Sequence, residues 1–199
     1  MTVVIDTYFA PQSPWTYLGH QRLQDIAAAA GAQIDLRPAD FGRIFAASGG
    51  LPLGKRAPQR QAYRLVELAR FSQHLNIPLN PQPKYFPVPV DDAARLIIAV
   101  QQHDGSPSAL AFTGALMRAL WVEERAINDP ATLAALLVEQ GLPARRLGDA
   151  QTPEVQATYD LNTERALALG VFGAPTYAVG SELFWGQDRL DFLQRRLAG

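Results

Sequence analysis

No cysteine occurs among the 199 residues, and that removes a whole branch of chemistry. Disulfides, thiolate metal sites and thiol–disulfide exchange by the protein's own side chains are all excluded. Nor does one sign of charge dominate: 18 basic residues against 19 acidic ones leave a net charge of −1, with both signs interspersed. Nucleic acid and anionic lipid find no electrostatic footprint in such a chain, so neither a nucleic-acid nor a membrane partner is expected. Long apolar runs are missing too. The opening "MTVVIDTYFAPQSP" carries no basic region, and its apolar run is too short for a signal sequence or a membrane span. A cytoplasmic location is therefore expected. What is abundant is apolar side chain, 48% of residues, enough to bury the core of one generous domain or of one domain with a large insertion.

Residues 3–9, "VVIDTYF", are β-branched and aromatic and read as a buried strand. After a break at Ala10-Pro11-Gln12, Ser13 suits an N-cap, and Pro14 suits the first helical position, where a missing N–H costs nothing. That helix runs to about Ala30 and stops at Gly31. "QIDLRPADF" (33–41) is a second strand, completing a β-α-β unit. From 43 to 150 no convincing strand occurs. A helix over 58–75 places Ala62, Leu65, Val66, Ala69 and Leu75 near helical period. The proline-rich "IPLNPQPKYFPVPVDD" follows as a connector. Further helical patterns cover 92–103, 108–126 and 131–140, the last between Asp129-Pro130 and Gly141. Thr152-Pro153-Glu154 then starts a helix closed by Gly170. "PTYAVGSELFW" (175–185) reads as a hairpin turning at Gly180-Ser181. Asp188 is the expected cap of a last helix with Leu190, Leu193 and Leu197 on one face. Without its central helical block, this order is that of a thioredoxin-like domain. The expected architecture is thus α/β: residues 1–42 with 151–199 as the thioredoxin-like part, and 43–150 as an inserted helical domain.

Four stretches could carry chemistry. Ser13 opens a helix whose first N–H groups lack backbone partners and whose dipole favours an anion; it is either a plain N-cap or a donor to that anion. A nucleophilic role would need a histidine base, and His20, His74 and His103 show no triad signature. In "GVFGAPTY" (170–177), Pro175 either starts a strand or, as a cis proline, frees the backbone of Ala174 to pair with an extended peptide. In "FWGQDRL" (184–190), Asp188 is a cap or the receptor for the charged end of a peptide-like ligand. Lys55, Arg56 and Arg60 form a basic cluster that is either a solvated face or a site.

Taken together, "FAPQSPWTYLGHQRL", "GVFGAPTYAVGSELFWGQDRLDFLQRRL" and the helical block between them resemble the 2-hydroxychromene-2-carboxylate isomerases. These are relatives of kappa-class glutathione transferases and, more distantly, of disulfide-forming proteins. The resemblance covers essentially the whole chain. It implies glutathione as cofactor, its sulfur held by Ser13, where a redox relative would carry cysteine. It also implies that the backbone of Ala174, before a cis Pro175, pairs with the cysteinyl unit. Trp185, Gly186, Gln187 and Asp188 would hold the γ-glutamyl end, with Asp188 meeting its ammonium, and Arg60 would stand near the other end. Tyr85 and Lys55 would contact an aromatic or unsaturated keto-acid substrate, in aromatic-hydrocarbon catabolism. The implied reaction is a cis–trans isomerisation in which the bound thiolate adds reversibly to the conjugated system and leaves again. A homodimer is implied as well, and no metal site is expected. Two departures stand out: relatives often keep an asparagine within Gly49–Gly54, and Phe45 occupies the place of a basic substrate contact, with Arg43 close by. The rival readings are a kappa-like transferase that consumes glutathione, and a non-enzymatic thioredoxin-fold peptide binder that has no need of Asp188.

Overall fold

The computed structural model describes residues 2–199. Strand β1 (Val4–Phe9) lies inside a four-stranded sheet of order β2-β1-β3-β4, with β2 (Gln33–Pro38), β3 (Thr176–Val179) and β4 (Glu182–Trp185). β2 runs parallel to β1, with Val4 opposite Gln33 and Phe9 opposite Pro38; β3 is antiparallel to β1 and β4 to β3. A parallel neighbour requires a crossover connection, and helix α1 (Pro14–Ala30) supplies it. Its start is set by Ser13, whose Oγ accepts the Thr16 N–H at 3.2 Å. Its end is set by Gly31 at φ +60°: the Gly31 N–H reaches Ala28 O at 3.2 Å and the Ala32 N–H reaches Ala27 O at 2.9 Å, a closure that glycine enters without a Cβ penalty.

Between β2 and β3 the chain is helical among the described residues: α2 (Phe41–Ser48), α3 (Pro58–Leu75), α4 (Asp91–Trp121), α5 (Pro130–Glu139), α6 (Arg146–Asp149) and α7 (Pro153–Ala168); α8 (Leu190–Ala198) ends the fold. Alternation along β1 feeds two apolar layers. Ile5 and Phe9 join the main core with α1, α4, α5 and α8, while Tyr8 packs with Phe41 and Ile44 of α2 and Ala166 of α7 on the other face. Fully buried Trp121, Phe112, Leu96 and Ile97 of α4 anchor the main layer, each large side chain contributing about 1.5–3 kcal/mol.

Several expectations need correction. The second strand ends at Pro38 rather than residue 41, because Asp40 caps α2 through Oδ1, accepting from Gly42 N at 2.8 Å and Arg43 N at 3.2 Å. In α3 the fully buried residue is Leu68, while Ala62 and Val66 face solvent. The patterns at 92–103 and 108–126 are two segments of α4 that meet at Gly105 (φ +83°), and the second stops at Trp121. It stops there because Glu124 turns left-handed (φ +55°) and its carboxylate accepts the Lys84 N–H at 2.7 Å, which draws the chain out of the helix. Asp188 does not cap α8. It lies in a 3-10 turn, Gln187–Arg189, closed by the Arg189 N–H to Gly186 O at 3.1 Å, and α8 begins at Leu190 without a side-chain cap.

Candidate active site

β1 ends at Phe9 and delivers Ser13 to the carboxyl end of the parallel pair. The turn is held by the Ser13 N–H to Ala10 O at 2.9 Å, and Ser13 is 9% exposed. One lone pair of Oγ caps the helix, which leaves the O–H free to donate outward. Because Pro14 has no N–H and Ser13 engages Thr16, the Trp15 N–H is the remaining amide of the first turn with no acceptor inside the helix. The chain therefore offers two donors and the positive end of a seventeen-residue helix at one point. No histidine converts Ser13 into a nucleophile. His20 Nε2 lies 2.9 Å from the Leu110 carbonyl, so that nitrogen carries a proton and the ring faces α4, where burial pulls its pKa down. His103 lies beside Asp149, and His74 sits exposed in the last turn of α3.

Two further walls come from the connector and from β3. Gln12 Oε1 accepts the Val88 N–H at 3.0 Å, and Tyr17 OH donates to Pro78 O at 3.0 Å. These bonds tie the connector to both sides of Ser13 and bring partly buried Tyr85 with it, the Lys84 ammonium lying 4.8 Å from the Tyr85 ring centroid. Trp15 meets Phe71 of α3 edge-on at 5.8 Å. On the opposite side Tyr8 faces Thr176 in antiparallel register, so β3 begins where β1 ends. The Ala174–Pro175 peptide is cis, as expected. Pro175 O accepts the Gly186 N–H at 2.9 Å, which lays residues 185–188 against the proline.

Within that loop the side chains divide. The Trp185 indole, half exposed, occupies the space a Cβ at Gly173 would fill and packs edge-on to Phe172 at 4.7 Å. Gly186 adopts φ +98°, and the Asp188 carboxylate lies where its Cβ would be. Gln187 turns inward: it is 1% exposed, its Oε1 accepts from Arg22 at 3.1 Å, and its Nε2 has no partner among the described residues. Asp188 stays exposed, paired with its neighbour Arg189 at 2.6 Å. Ser13, Tyr85, Pro175 and the 185–188 loop are thus brought to one end of the sheet. Lys55 and Arg60 are not bonded to them; Lys55 ends a 3-10 turn, Leu53–Lys55, and Arg60 lies in the first turn of α3, both exposed and without a carboxylate partner among the described residues. Arg60 precedes Phe71 by eleven residues, about 16 Å along the helix axis.

The departures at Phe45 and Arg43 acquire a structural meaning. Arg43 is engaged by Glu164 and, at 3.8 Å, by Asp160, both on α7. The Arg56 guanidinium lies 5.9 Å from the Phe45 ring centroid, anchored by Nε to Leu51 O at 2.8 Å. Gly50 is required beneath that ring, since a Cβ there would meet Phe45 Cδ1 at 2.6 Å. Sequence reasoning missed the placement of Arg56, Arg64 and Gln12. The four-residue spacing of Arg60 and Arg64 was a signal that one edge of α3 is basic, with Arg56 in the extended segment just before it, but it does not reveal which of them is buried.

A four-stranded mixed sheet with a cis proline facing a helix N-terminus defines a thioredoxin-fold protein, here with a hydroxyl at the helix start in place of a thiol. Known proteins narrow the class. The model of the DSBA-like thioredoxin domain matches residues 4–198. A 2-hydroxychromene-2-carboxylate isomerase of Sphingobium xenophagum is 31% identical over 199 residues, covering 99% of each chain. Human glutathione S-transferase kappa 1 is 24% identical over 97% of this chain and 90% of its own. A solved 2-hydroxychromene-2-carboxylate isomerase structure superposes with a TM-score of 0.82 at 27% identity, over 98% of this chain and 94% of that one. The chain belongs to the DSBA-like thioredoxin-domain family and, within it, to the isomerase enzymes named for 2-hydroxychromene-2-carboxylate.

Proposed function

We propose that the protein is a glutathione-dependent cis–trans isomerase that converts 2-hydroxychromene-2-carboxylate-type substrates to the open benzylidenepyruvate, in aromatic catabolism. The observation that carries the reading is the pairing of the Ser13 O–H with the Trp15 N–H at the start of α1, in a chain with no thiol of its own. Such donors favour a thiolate, and in a chain without cysteine a ligand would have to bring it. When bound, glutathione supplies the nucleophilic sulfur that this chain lacks. Ser13 and the Trp15 N–H hold that sulfur in its charged form: a hydrogen bond to a charged group is worth about 1.5–3 kcal/mol, and about 1.4 kcal/mol moves a pKa by one unit. The backbone of Ala174 beside Pro175 pairs with the cysteinyl unit as an added strand does. Trp185, Gly186, Gln187 and Asp188 receive the γ-glutamyl end, Asp188 exchanging Arg189 for the ligand's ammonium. Arg60 meets the glycyl carboxylate, and Tyr85 and Lys55 face the substrate.

In this reading residues 1–42 and 151–199 supply most of the cofactor half of the site, and the block 43–150 supplies the substrate half. A cytoplasmic homodimer completes the proposal. No described helix is long and apolar enough to cross a membrane. The test is a material balance: protein, sub-stoichiometric glutathione and 2-hydroxychromene-2-carboxylate are followed by absorbance and chromatography. Many turnovers with glutathione undiminished are expected. Stoichiometric loss of glutathione into a conjugate would replace this reading with that of a kappa-like transferase.

A further inference from the structure

Half-buried arginines in this fold come with acceptors. Arg37 is paired with Asp6 and Asp35, Arg125 with Glu123 and Glu139, and Arg146 with Asp104 and Asp149. Arg22 is bonded to Gln187, and Arg95 to Asp92 and Gln156. Arg64 breaks this pattern. It sits partly buried on the inner edge of α3, with Cζ 5.0 Å from the Phe86 ring centroid and 5.9 Å from that of Trp121. Yet no carboxylate lies within ion-pair distance of it, and none of its N–H groups is bonded, among the described residues. A guanidinium presents five donors, and those of Arg64 are not sealed in the core, so they stand open to an acceptor that arrives from outside. Burial, with Arg56 nearby, lowers its pKa to about 10, which leaves it charged at neutral pH.

Its position gives the missing acceptor a place. The ring beneath Arg64 belongs to Phe86, which follows Tyr85 and lies two residues before Val88, and Val88 is bonded to Gln12, next to Ser13. The guanidinium therefore stands on the wall that the connector builds beside the thiolate donors. Arg60, four residues earlier and exposed, is one helical turn further out and is the better placed of the two for the cofactor's own carboxylate. A planar guanidinium held against aromatic rings is also preorganised for bidentate pairing with a carboxylate.

We propose that Arg64 is a specificity residue that receives the carboxylate of a planar, unsaturated aromatic acid, with Phe86 and Arg56 flanking it and Lys55 left at the rim. The proposal rests on the isomerase reading for the identity of that acid, but not for the existence of the subsite. The test uses the intact protein with glutathione present and trans-cinnamate as probe, against neutral cinnamamide. Phenylglyoxal modification of Arg64, followed by peptide mass spectrometry, is expected to slow at least about fivefold with cinnamate and less than about twofold with cinnamamide or with glutathione alone. Arg64→Met is expected to weaken cinnamate binding by about tenfold or more while the Kd for glutathione changes less than about twofold, and Arg64→Lys recovers part of the loss. Equal protection by acid and amide, or unchanged cinnamate binding in Arg64→Met, would overturn the assignment. Protection by glutathione alone would overturn it by giving Arg64 to the cofactor. Should the protection pattern hold while 2-hydroxychromene-2-carboxylate is not turned over, the isomerase reading fails and the carboxylate subsite stands.

Discussion

Ser13 carries two separable tasks, and substitution can pull them apart. As N-cap it satisfies the Thr16 N–H at 3.2 Å, and as proposed thiolate holder it uses its outward O–H. Ser13→Ala removes both. Loss of the cap costs about 1 kcal/mol, which for a domain of this size lowers the melting temperature by about 2–4 °C. Loss of the donor removes about 1.5–3 kcal/mol of preference for thiolate over thiol, raising the pKa of bound glutathione by about one to two units. Ser13→Asp is the sharper perturbation. Aspartate is as good a cap as serine, and its charge suits the positive end of α1, so the melting temperature should stay within a few degrees of wild type. Its carboxylate offers no proton at neutral pH and repels a thiolate. Thermal melts by circular dichroism, together with pH titration of the thiolate absorbance in the presence of glutathione, separate the two effects. Near-native stability with the thiolate signal lost is the expected result for Ser13→Asp. A Ser13→Asp protein that binds glutathione as thiolate at the wild-type pKa would refute the role given to the hydroxyl.

Other consequences test other parts of the structure. Asp188→Asn should leave stability almost unchanged, since the exposed carboxylate pairs only with adjacent Arg189 and such surface pairs are worth about 0–1 kcal/mol, while calorimetry should show glutathione binding weakened. Arg146→Ala should cost about 1.5–3 kcal/mol in urea unfolding, because it removes a buried guanidinium that bonds the partly exposed carboxylates of Asp104, at the bend of α4, and of Asp149, each at 2.7 Å. His20 is held neutral by burial, its pKa below the ordinary value. The unfolded chain therefore binds more protons below about pH 6.5, stability rises with pH up to that point, and His20→Gln should flatten this rise in urea titrations at successive pH values.

Much of the fold could be read from local signals because local physics settles it. Ser13-Pro14 and Gly31 bound α1 and Pro58 and Leu75 bound α3, while Ser13, Asp129 and Thr152 cap α1, α5 and α7, each accepting an amide that has no helical partner. The hairpin turned at Gly180-Ser181, where Gly180 takes φ +62°. What was not legible depends on distant parts of the chain. α2 is capped by Asp40, but its Phe41 and Ile44 are buried only because α7 and Tyr8 meet them. The end of α4 is fixed by Glu124 reaching back to Lys84, a contact across forty residues. Asp188 looks like a cap in isolation, and only the 3-10 turn after Gly186 shows that it is not. The site divides the same way. Ser13 and Pro175 stand out because each follows or precedes a strand. Arg64 looks like any helical arginine until Phe86 and Trp121 are folded against it and no acid joins them.

The most direct test of the proposed function is calorimetric titration of glutathione into the wild-type protein, with the thiolate absorbance of the bound tripeptide recorded alongside. Saturable binding, with a thiolate signal at a pH where free glutathione is almost wholly thiol, is the predicted result. No heat and no thiolate signal at millimolar glutathione would contradict it, and would leave the edge beside Pro175 to a peptide instead.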